Sequence, residues 1–412
     1  MRPDTNNPVS LVERADILDI LRGIALLGIC LANYPVFSLY IFQSSEVLEK
    51  MPTAMIDKWI SYFHFTFIDG KFYSLFSLLF GIGFSIILLR TRTKGMGLSI
   101  FYRRIVILLL MGLAHSLLLW EGDILLLYAL IGLLLPLFRN VPDKKLIFLW
   151  ALFIMFPIFM DLIKVLTDNH LNMSKPIEKM ALAADKVNGI TDANWRTWLL
   201  DHQSYMDLIR YNQSGIFWRY QGLLENNRIF KVLGMFLLGL YVGRKLIYRK
   251  LEENKALLKQ IQFYGFVVGL PVSIAHAYLS LDAHYLPEAF ALLDTVAYAF
   301  SVVPLSLAYT CTICLWFLKG SHRKLLQLFS APGRMALTNY ILQTVLGISI
   351  FYGLGLGMGG KTGLIYVVLI AIAVYSLEIV LSHFWLKYFN YGPLEWLWRQ
   401  LTYGKKLPLK KT

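Results

Sequence analysis

The chain has 412 residues, 57% of them hydrophobic and 16% charged, and its mean hydropathy is +0.56. This apolar share exceeds the roughly 45–50% of a soluble domain, which excludes a water-soluble globule and points to a membrane protein. The net charge of +14 is therefore read as membrane orientation and not as affinity for nucleic acid.

Residues 1–22 mix acids and bases before the first apolar run and lack the short apolar core and cleavage site of a signal peptide, so the first span is expected to be retained. Apolar runs long enough to cross roughly 30 Å of hydrocarbon begin near Gly23, Lys71, Arg104, Asp123, Lys145, Ile229, Gln260, Ala291, Arg334 and Gly363. The expected fold class is all-α: a polytopic transmembrane helix bundle of about ten spans, one integral membrane domain over 1–412. With the N-terminus inside, cytoplasmic segments collect Arg90, Arg92, Lys94, Arg103 and Arg104, then Arg139, Lys144 and Lys145, then Arg244, Lys245, Arg249, Lys250, Lys255 and Lys259. Lys319, Arg323, Lys324 and Arg334 follow, and the tail from Lys387 to Lys411 adds six more cations. The short outer turns hold Glu121 and Asp123, or Asp282 and Glu288, so every short loop obeys the positive-inside rule and both termini are expected in the cytoplasm.

One long connection, 167–227 between the fifth and sixth spans, is expected outside. It carries Trp195, Trp198, Tyr205, Tyr211, Phe217, Trp218 and Tyr220 among charged residues, a pattern that suits a cap along the membrane interface or a lid over a substrate. Residues 355–362, Gly-Leu-Gly-Met-Gly-Gly-Lys-Thr, match the phosphate-loop string GxxxxGK[ST]. That loop needs a strand before it and nucleotide in water in front of it, whereas here a membrane helix precedes and Lys361 is expected outside, so the glycines are read as a flexible turn. Cys30, Cys311 and Cys314 all lie in apolar stretches, and there is no HExxH, GxSxG or Cys/His array, so neither a disulfide framework nor a metal site is expected.

Polar side chains inside hydrocarbon cost roughly 2.5–3.5 kcal/mol even on the lenient insertion scale, which makes each a candidate site residue. They are Asn33, His115, His276, Asp294, Asn339, Gln343, Glu378 and His383. Each also has a plainer reading as a hydrogen bond between helices. Asn33 lies eleven residues past Arg22, about mid-membrane, on a helix in which Gly23 and Gly28 allow close approach of a neighbour. His115 sits about five residues below the outer end of its helix, and at roughly 1.5 Å per residue it is expected some 7–8 Å beneath Glu121 and Asp123, so that a direct bond to Asp123 needs tilt or a water. A neutral imidazole there suits a base or nucleophile toward a substrate arriving from outside.

Several blocks resemble the YeiB-like family of bacterial membrane proteins (domain of unknown function 418). They are Leu21-Arg22-Gly23-Ile24-Ala25-Leu26-Leu27-Gly28-Ile29 with Asn33; Lys71-Phe72 through Leu75 to Gly83; His115 with Gly122-Asp123-Ile124-Leu125 and Tyr128; Gly333 to Tyr340 with Gln343; and Tyr391 to Arg399. That family is distantly similar to transmembrane acyltransferases, including heparan-α-glucosaminide N-acetyltransferase and the acyltransferase-3 proteins, which move an acyl group from cytosolic acyl-CoA to a hydroxyl or amine on the far side. The resemblance implies an acyltransferase with acyl-CoA as co-substrate and no metal. Eleven residues beyond Asn33, where the heparan enzyme has its histidine, stands Ser44; His64 is the nearest histidine in that segment, and the YeiB-like motif itself offers His115.

These readings assign acyl-CoA phosphates to Arg22, Arg103, Arg104 and Lys94, donation to the thioester carbonyl to Asn33, and the role of base or acyl carrier to His115 with Asp123, His64 being the competing histidine. Arg334, Asn339, Tyr340, Gln343 and Glu378 are expected to form a polar pocket. Partners are the lipid bilayer of a bacterial plasma membrane, acyl-CoA and a small-molecule, sugar or lipid acceptor, without nucleic acid; a homodimer is compatible with the sequence. A transporter or permease for a small metabolite is the alternative, and the absence of detectable repeated halves disfavours it.

Overall fold

The computed structural model describes residues 15–93, 98–282 and 291–411; the expectations placed on Lys94 and Glu288 lie outside these. The first helix, α1 (Asp16–Phe37), has Asp16 and Asp19 in its first turn, where carboxylates complement the free N–H groups. α2 (Ala54–Phe67) leads through a tight turn at Gly70, φ +77°, into α3 (Lys71–Thr93). α4 (Ser99–Leu118), the short α5 (Leu125–Gly132) and α6 (Asp143–Leu166) follow. Next come α7 (Lys175–Asn188), α8 (Tyr205–Glu225), α9 (Arg228–Arg244), α10 (Lys255–Asp282) and α11 (Ala291–Lys319). α12 (Ala336–Phe351), α13 (Leu364–Tyr388) and α14 (Pro393–Tyr403) complete the chain. Helices dominate because a helix satisfies its own backbone in hydrocarbon, where no water can.

Every apolar run read from the sequence contains a helix, and the fold is a polytopic all-α bundle. Among the described residues seven helices are long and apolar enough to cross a membrane. α5, α9 and α12 are shorter, at 8, 17 and 16 residues. Eight residues rise only about 12 Å, so α5 dips into the bundle beside α4 instead of crossing it alone.

α1 runs through the centre against α3, α12, α13 and the short helix Ser330–Arg334, while α3 packs on α9 and α10 on α11. Small residues set the close approaches. A Cβ on Gly23 would lie 2.0 Å from the Phe329 carbonyl oxygen, and one on Gly28 would enter the Phe72 ring, as the sequence led us to expect. Gly81 and Gly239 do the same for α3 and α9, where a Cβ on Gly81 would lie 2.2 Å from the Phe236 carbonyl oxygen.

The segment 167–227 is a folded cap. Its helices α7 and α8 pack together, and α8 is pinned across the end of α4 by Tyr205 Oη donating to Leu118 O at 2.7 Å and Asn212 Nδ2 to Leu117 O at 3.3 Å. The phosphate-loop-like hairpin is also firmly built, contrary to the flexible turn expected. Gly357 N, Gly359 N and Gly360 N donate to Tyr352 O, Phe351 O and Ser38 O. Asp57, buried under α13, accepts from Ile365 N at 2.9 Å and from Thr53 Oγ1 at 2.7 Å. With these amides committed to carbonyls, the glycines have few N–H groups left to cradle a phosphate.

Candidate functional site

α4 ends three residues after His115. Leu119 N and Trp120 N both fold back onto His115 O, and the chain then reverses at Gly122 before α5 begins. That reversal carries Asp123 down beside the imidazole, so the expected gap of several ångströms does not exist: His115 Nδ1 and Asp123 Oδ2 are 2.8 Å apart, both residues 3% exposed. Asp123 Oδ1 meanwhile accepts from Leu126 N at 2.6 Å and anchors the first turn of α5. An ionised carboxylate only accepts, so it fixes the proton on Nδ1 and leaves Nε2 as an acceptor. Facing Nε2 at 3.0 Å is the hydroxyl of Thr344, one turn beyond Tyr340 on α12, whose ring centroid lies 5.2 Å from that of His115. Carboxylate, imidazole and hydroxyl thus form one hydrogen-bonded chain, with Thr344 Oγ1 also 3.3 Å from Tyr340 O, and a carboxylate-backed imidazole of this kind can take a proton from a hydroxyl.

A cavity of about 230 Å3 runs toward this group from the opposite, basic end of the bundle. Its mouth is lined by Arg22, Arg104, Arg334 and Arg399 with Glu395 and Trp398; its shaft is apolar, with Leu26, Ile29, Phe80 and Phe84; its deep end reaches Ile124, Tyr128 and Tyr340. α14 builds the mouth. Arg104 lies 3.8 Å over the Trp398 ring, and Trp398 Nε1 donates to Arg104 O at 3.0 Å. Glu395 accepts from Leu337 N at 2.7 Å, Thr338 N at 3.0 Å and Thr338 Oγ1 at 2.6 Å, and burial nonetheless pushes its carboxyl above the usual range.

Arg22, Arg104, Arg334 and Tyr340 are brought together around this cavity, whereas Arg103 is exposed and outside its lining. Asn33 is half-buried on α1; it continues the stripe Arg22, Leu26, Ile29 one turn past the lining, while the His115 hydrogen bonds run to Asp123 and Thr344 and not to it. His64 sits on α2, bonded to the backbone of Leu31 and away from the His115 group. Asn339, Gln343 and Glu378 lie on the seam between α12 and α13, where Asn339 Nδ2 donates to Ser382 Oγ at 2.9 Å and Gln343 Nε2 to Glu378 Oε2 at 2.8 Å, off the cavity wall. His276 pairs with Asp294 at 3.3 Å, and His383 is exposed. Among the described residues no group of three metal-ligating side chains forms.

Sequence reasoning missed Thr344, Arg399 and Arg219. Thr344 follows Tyr340 by four residues and so shares its helix face, a usable signal. Arg219 projects from α8, and its charge is felt by Asp123, Glu121 and Tyr340; nothing in its sequence surroundings sets it apart. Glu121 is packed against Gly215 of α8, and burial pushes its carboxyl up to about 7.

Residues 242–405 match the family described as "Protein of unknown function (DUF418)". The uncharacterized protein YxaH of Bacillus subtilis (strain 168) is 33% identical over 414 residues, spanning 98% of each chain. The uncharacterized protein YeiB of Escherichia coli (strain K12) is 29% identical over 402 residues, 95% of this chain and 97% of YeiB. An uncharacterized 39.9 kDa protein in the amylase 3' region of Bacillus acidopullulyticus is 28% identical over 420 residues, 98% of each. No solved structure matches the chain. With similarity running end to end, the chain belongs to the YeiB-like, DUF418 family of proteins.

Proposed function

We propose that the protein is a transmembrane acyltransferase of the bacterial plasma membrane, taking an acyl group from cytoplasmic acyl-CoA to an acceptor at the outer side. The observation that carries this reading is the continuity of one cavity from four arginines at the basic end to the Tyr340 face of His115. A volume of about 230 Å3 is below the usual range for a whole drug-sized ligand, so it suits an acyl group with its pantetheine arm while the charged nucleotide head stays at the mouth. Supporting this, Arg104, Arg334 and Arg399 line the mouth with Arg22, which pairs with Asp19 at 2.8 Å, as a set of donors suited to phosphate oxygens, and Trp398, stacked on one side by Arg104, is an aromatic partner for the adenine ring.

In this reading His115 Nε2 removes the proton of the attacking hydroxyl or amine, Asp123 holds the tautomer and stabilises the imidazolium, and the freed thiolate of CoA takes a proton as it leaves. Asn33, in line with the cavity stripe, donates to the thioester oxygen as it gains charge. Binding of acetyl-CoA or a longer acyl-CoA to the purified protein tests the proposal by calorimetry. Arg104→Gln should weaken it in a salt-dependent way, Arg103→Gln should not, and His115→Ala should spare binding while abolishing turnover. Absence of CoA affinity, with solute movement in vesicles that is lost in Asn33→Ala, would replace the enzyme by a transporter.

A further inference from the structure

At the ends of α6, α9, α10 and α11 the interior holds a second set of charges, and part of it is unbalanced. Asp161 accepts from Asn227 Nδ2 at 2.8 Å and Thr295 Oγ1 at 2.6 Å and pairs with Lys164 at 2.9 Å; Lys164 also holds Glu225 at 3.1 Å. Asp294 is taken by His276, and Asp123 by His115 and Leu126 N. Arg219, Arg228 and Lys231 have no such partner: none makes an ion pair or hydrogen bond among the described residues, and Arg219 Nε is buried without one. The one uncommitted carboxylate within electrostatic reach of Arg228 and Lys231 is Asp69. Glu121, whose carboxyl burial raises to about 7, is the uncommitted carboxylate within reach of Arg219, so three cations face two such carboxylates, and leaving half-buried guanidiniums short of counter-charge is costly.

The three are held in place by separate devices. Arg228 and Lys231 stand three residues apart on one face of α9, and the rings of Tyr73 and Tyr298 lie beneath them, with the Arg228 guanidinium 4.9 Å and the Lys231 ammonium 3.7 Å from the ring centroids. The two tyrosines are locked by a 2.8 Å bond between their hydroxyls, and Tyr128, which lines the deep end of the acyl cavity, donates to Tyr73 O at 2.9 Å. Asn227, 1% exposed, adopts a left-handed conformation, φ 51°, immediately before α9, and no side chain caps that helix, so its first N–H groups add to the positive field. Arg219 reaches the same region from the cap helix α8 and shares its field with both Asp123 and Arg228.

We infer that Arg219, Arg228 and Lys231 bind a phosphate group on the acceptor and thereby hold the acceptor's hydroxyl at the outer face of His115. The excess of cations over carboxylates, with two forked guanidiniums, suits a phosphate ester. That the ligand is the acceptor rests on the acyl-transfer reading; that it is a phosphate rests on the charges alone. The phosphate belongs either to a soluble ester or to a lipid headgroup.

The test uses the full-length protein in phosphatidylcholine nanodiscs, titrated with inorganic phosphate, with acyl-CoA titrated in parallel. Saturable phosphate binding is expected, weakened about tenfold or more in Arg228→Gln and in Lys231→Gln and unchanged in the exposed Lys361→Gln. The two substitutions are independent, so misfolding of one leaves the other decisive. Repeating the titration in phosphatidylglycerol nanodiscs separates the sources: competition identifies a lipid headgroup, and its absence identifies a soluble phosphate ester. No saturable phosphate binding, or equal binding in both variants, overturns the inference. Acyl-CoA binding retained in that case leaves the transferase reading standing, whereas phosphate binding without acyl-CoA binding removes that reading and keeps the anion site.

Discussion

Asp123→Asn separates a catalytic pair from a structural one. The carboxylate has two duties, accepting from Leu126 N at 2.6 Å and from His115 Nδ1 at 2.8 Å, and an amide has a single oxygen. If that oxygen keeps Leu126 N, the amide NH2 faces His115 Nδ1, which must then give up its proton; the proton moves to Nε2 and the base is lost. The charge-assisted bond is replaced by a neutral one in a site 3% exposed, at a cost of about 1–3 kcal/mol in stability, so the variant should fold. Turnover, followed as thiol released from acyl-CoA by protein in vesicles, should fall by about 10³–10⁴ with little change in acyl-CoA affinity. Nitrogen NMR of the eight histidines, with His115→Gln used for assignment, reads the tautomer without needing the acceptor. Undiminished turnover, or an Nδ1-protonated His115 in both proteins, would refute the assignment of base and orienter.

Glu121, whose carboxyl burial raises to about 7, favours its neutral form when folded; its contribution is present at acidic pH below its ordinary value and is lost as pH rises through about 7. Glu121→Gln should therefore flatten the fall of the thermal midpoint between about pH 5 and 8 and leave the variant more stable at the upper end, and an unchanged slope would contradict this. Lys361→Ala should leave turnover intact, and the purified protein should bind no ATP, because the hairpin amides are committed to Tyr352, Phe351 and Ser38 carbonyls. A cysteine replacing Gln213, which is exposed on the cap beside the fully buried Asn212, should be labelled in intact cells while a tag after Lys411 is not; labelling of the tag without permeabilisation would invert the proposed orientation.

The bundle was legible because hydrocarbon leaves a chain so few options: apolar runs bounded by cations become helices, and Gly23 and Gly28 mark where neighbours touch. The cavity mouth was half legible. Arg22, Arg104 and Arg334 were visible as cations at span ends, but Arg103 is adjacent to Arg104 and about 100° away on the helix, which no count of charges reveals. His115 and Asp123 were visible as residue types, yet their contact was not, because a straight-helix extrapolation ignores the reversal that begins at Leu119. Asn339, Gln343 and Glu378 were costly enough to notice, and they meet part of that cost by pairing across α12 and α13, while Gln343 Oε1 and Glu378 Oε1 stay buried without a partner. Thr344, Arg219 and Arg228 were hidden for opposite reasons: a threonine is cheap in a membrane helix, and two arginines in or beside a long charged cap do not stand out.

The central claim is that acyl-CoA enters from the basic end and presents its thioester to His115. Electron cryo-microscopy of the protein with a non-hydrolysable acyl-CoA analogue tests it most directly. The account predicts phosphate density among Arg22, Arg104, Arg334 and Arg399 and an arm running past Leu26 and Ile29 to end beside Tyr340 and His115 Nε2; a cavity left empty at saturating analogue, or an analogue seated elsewhere, would contradict it.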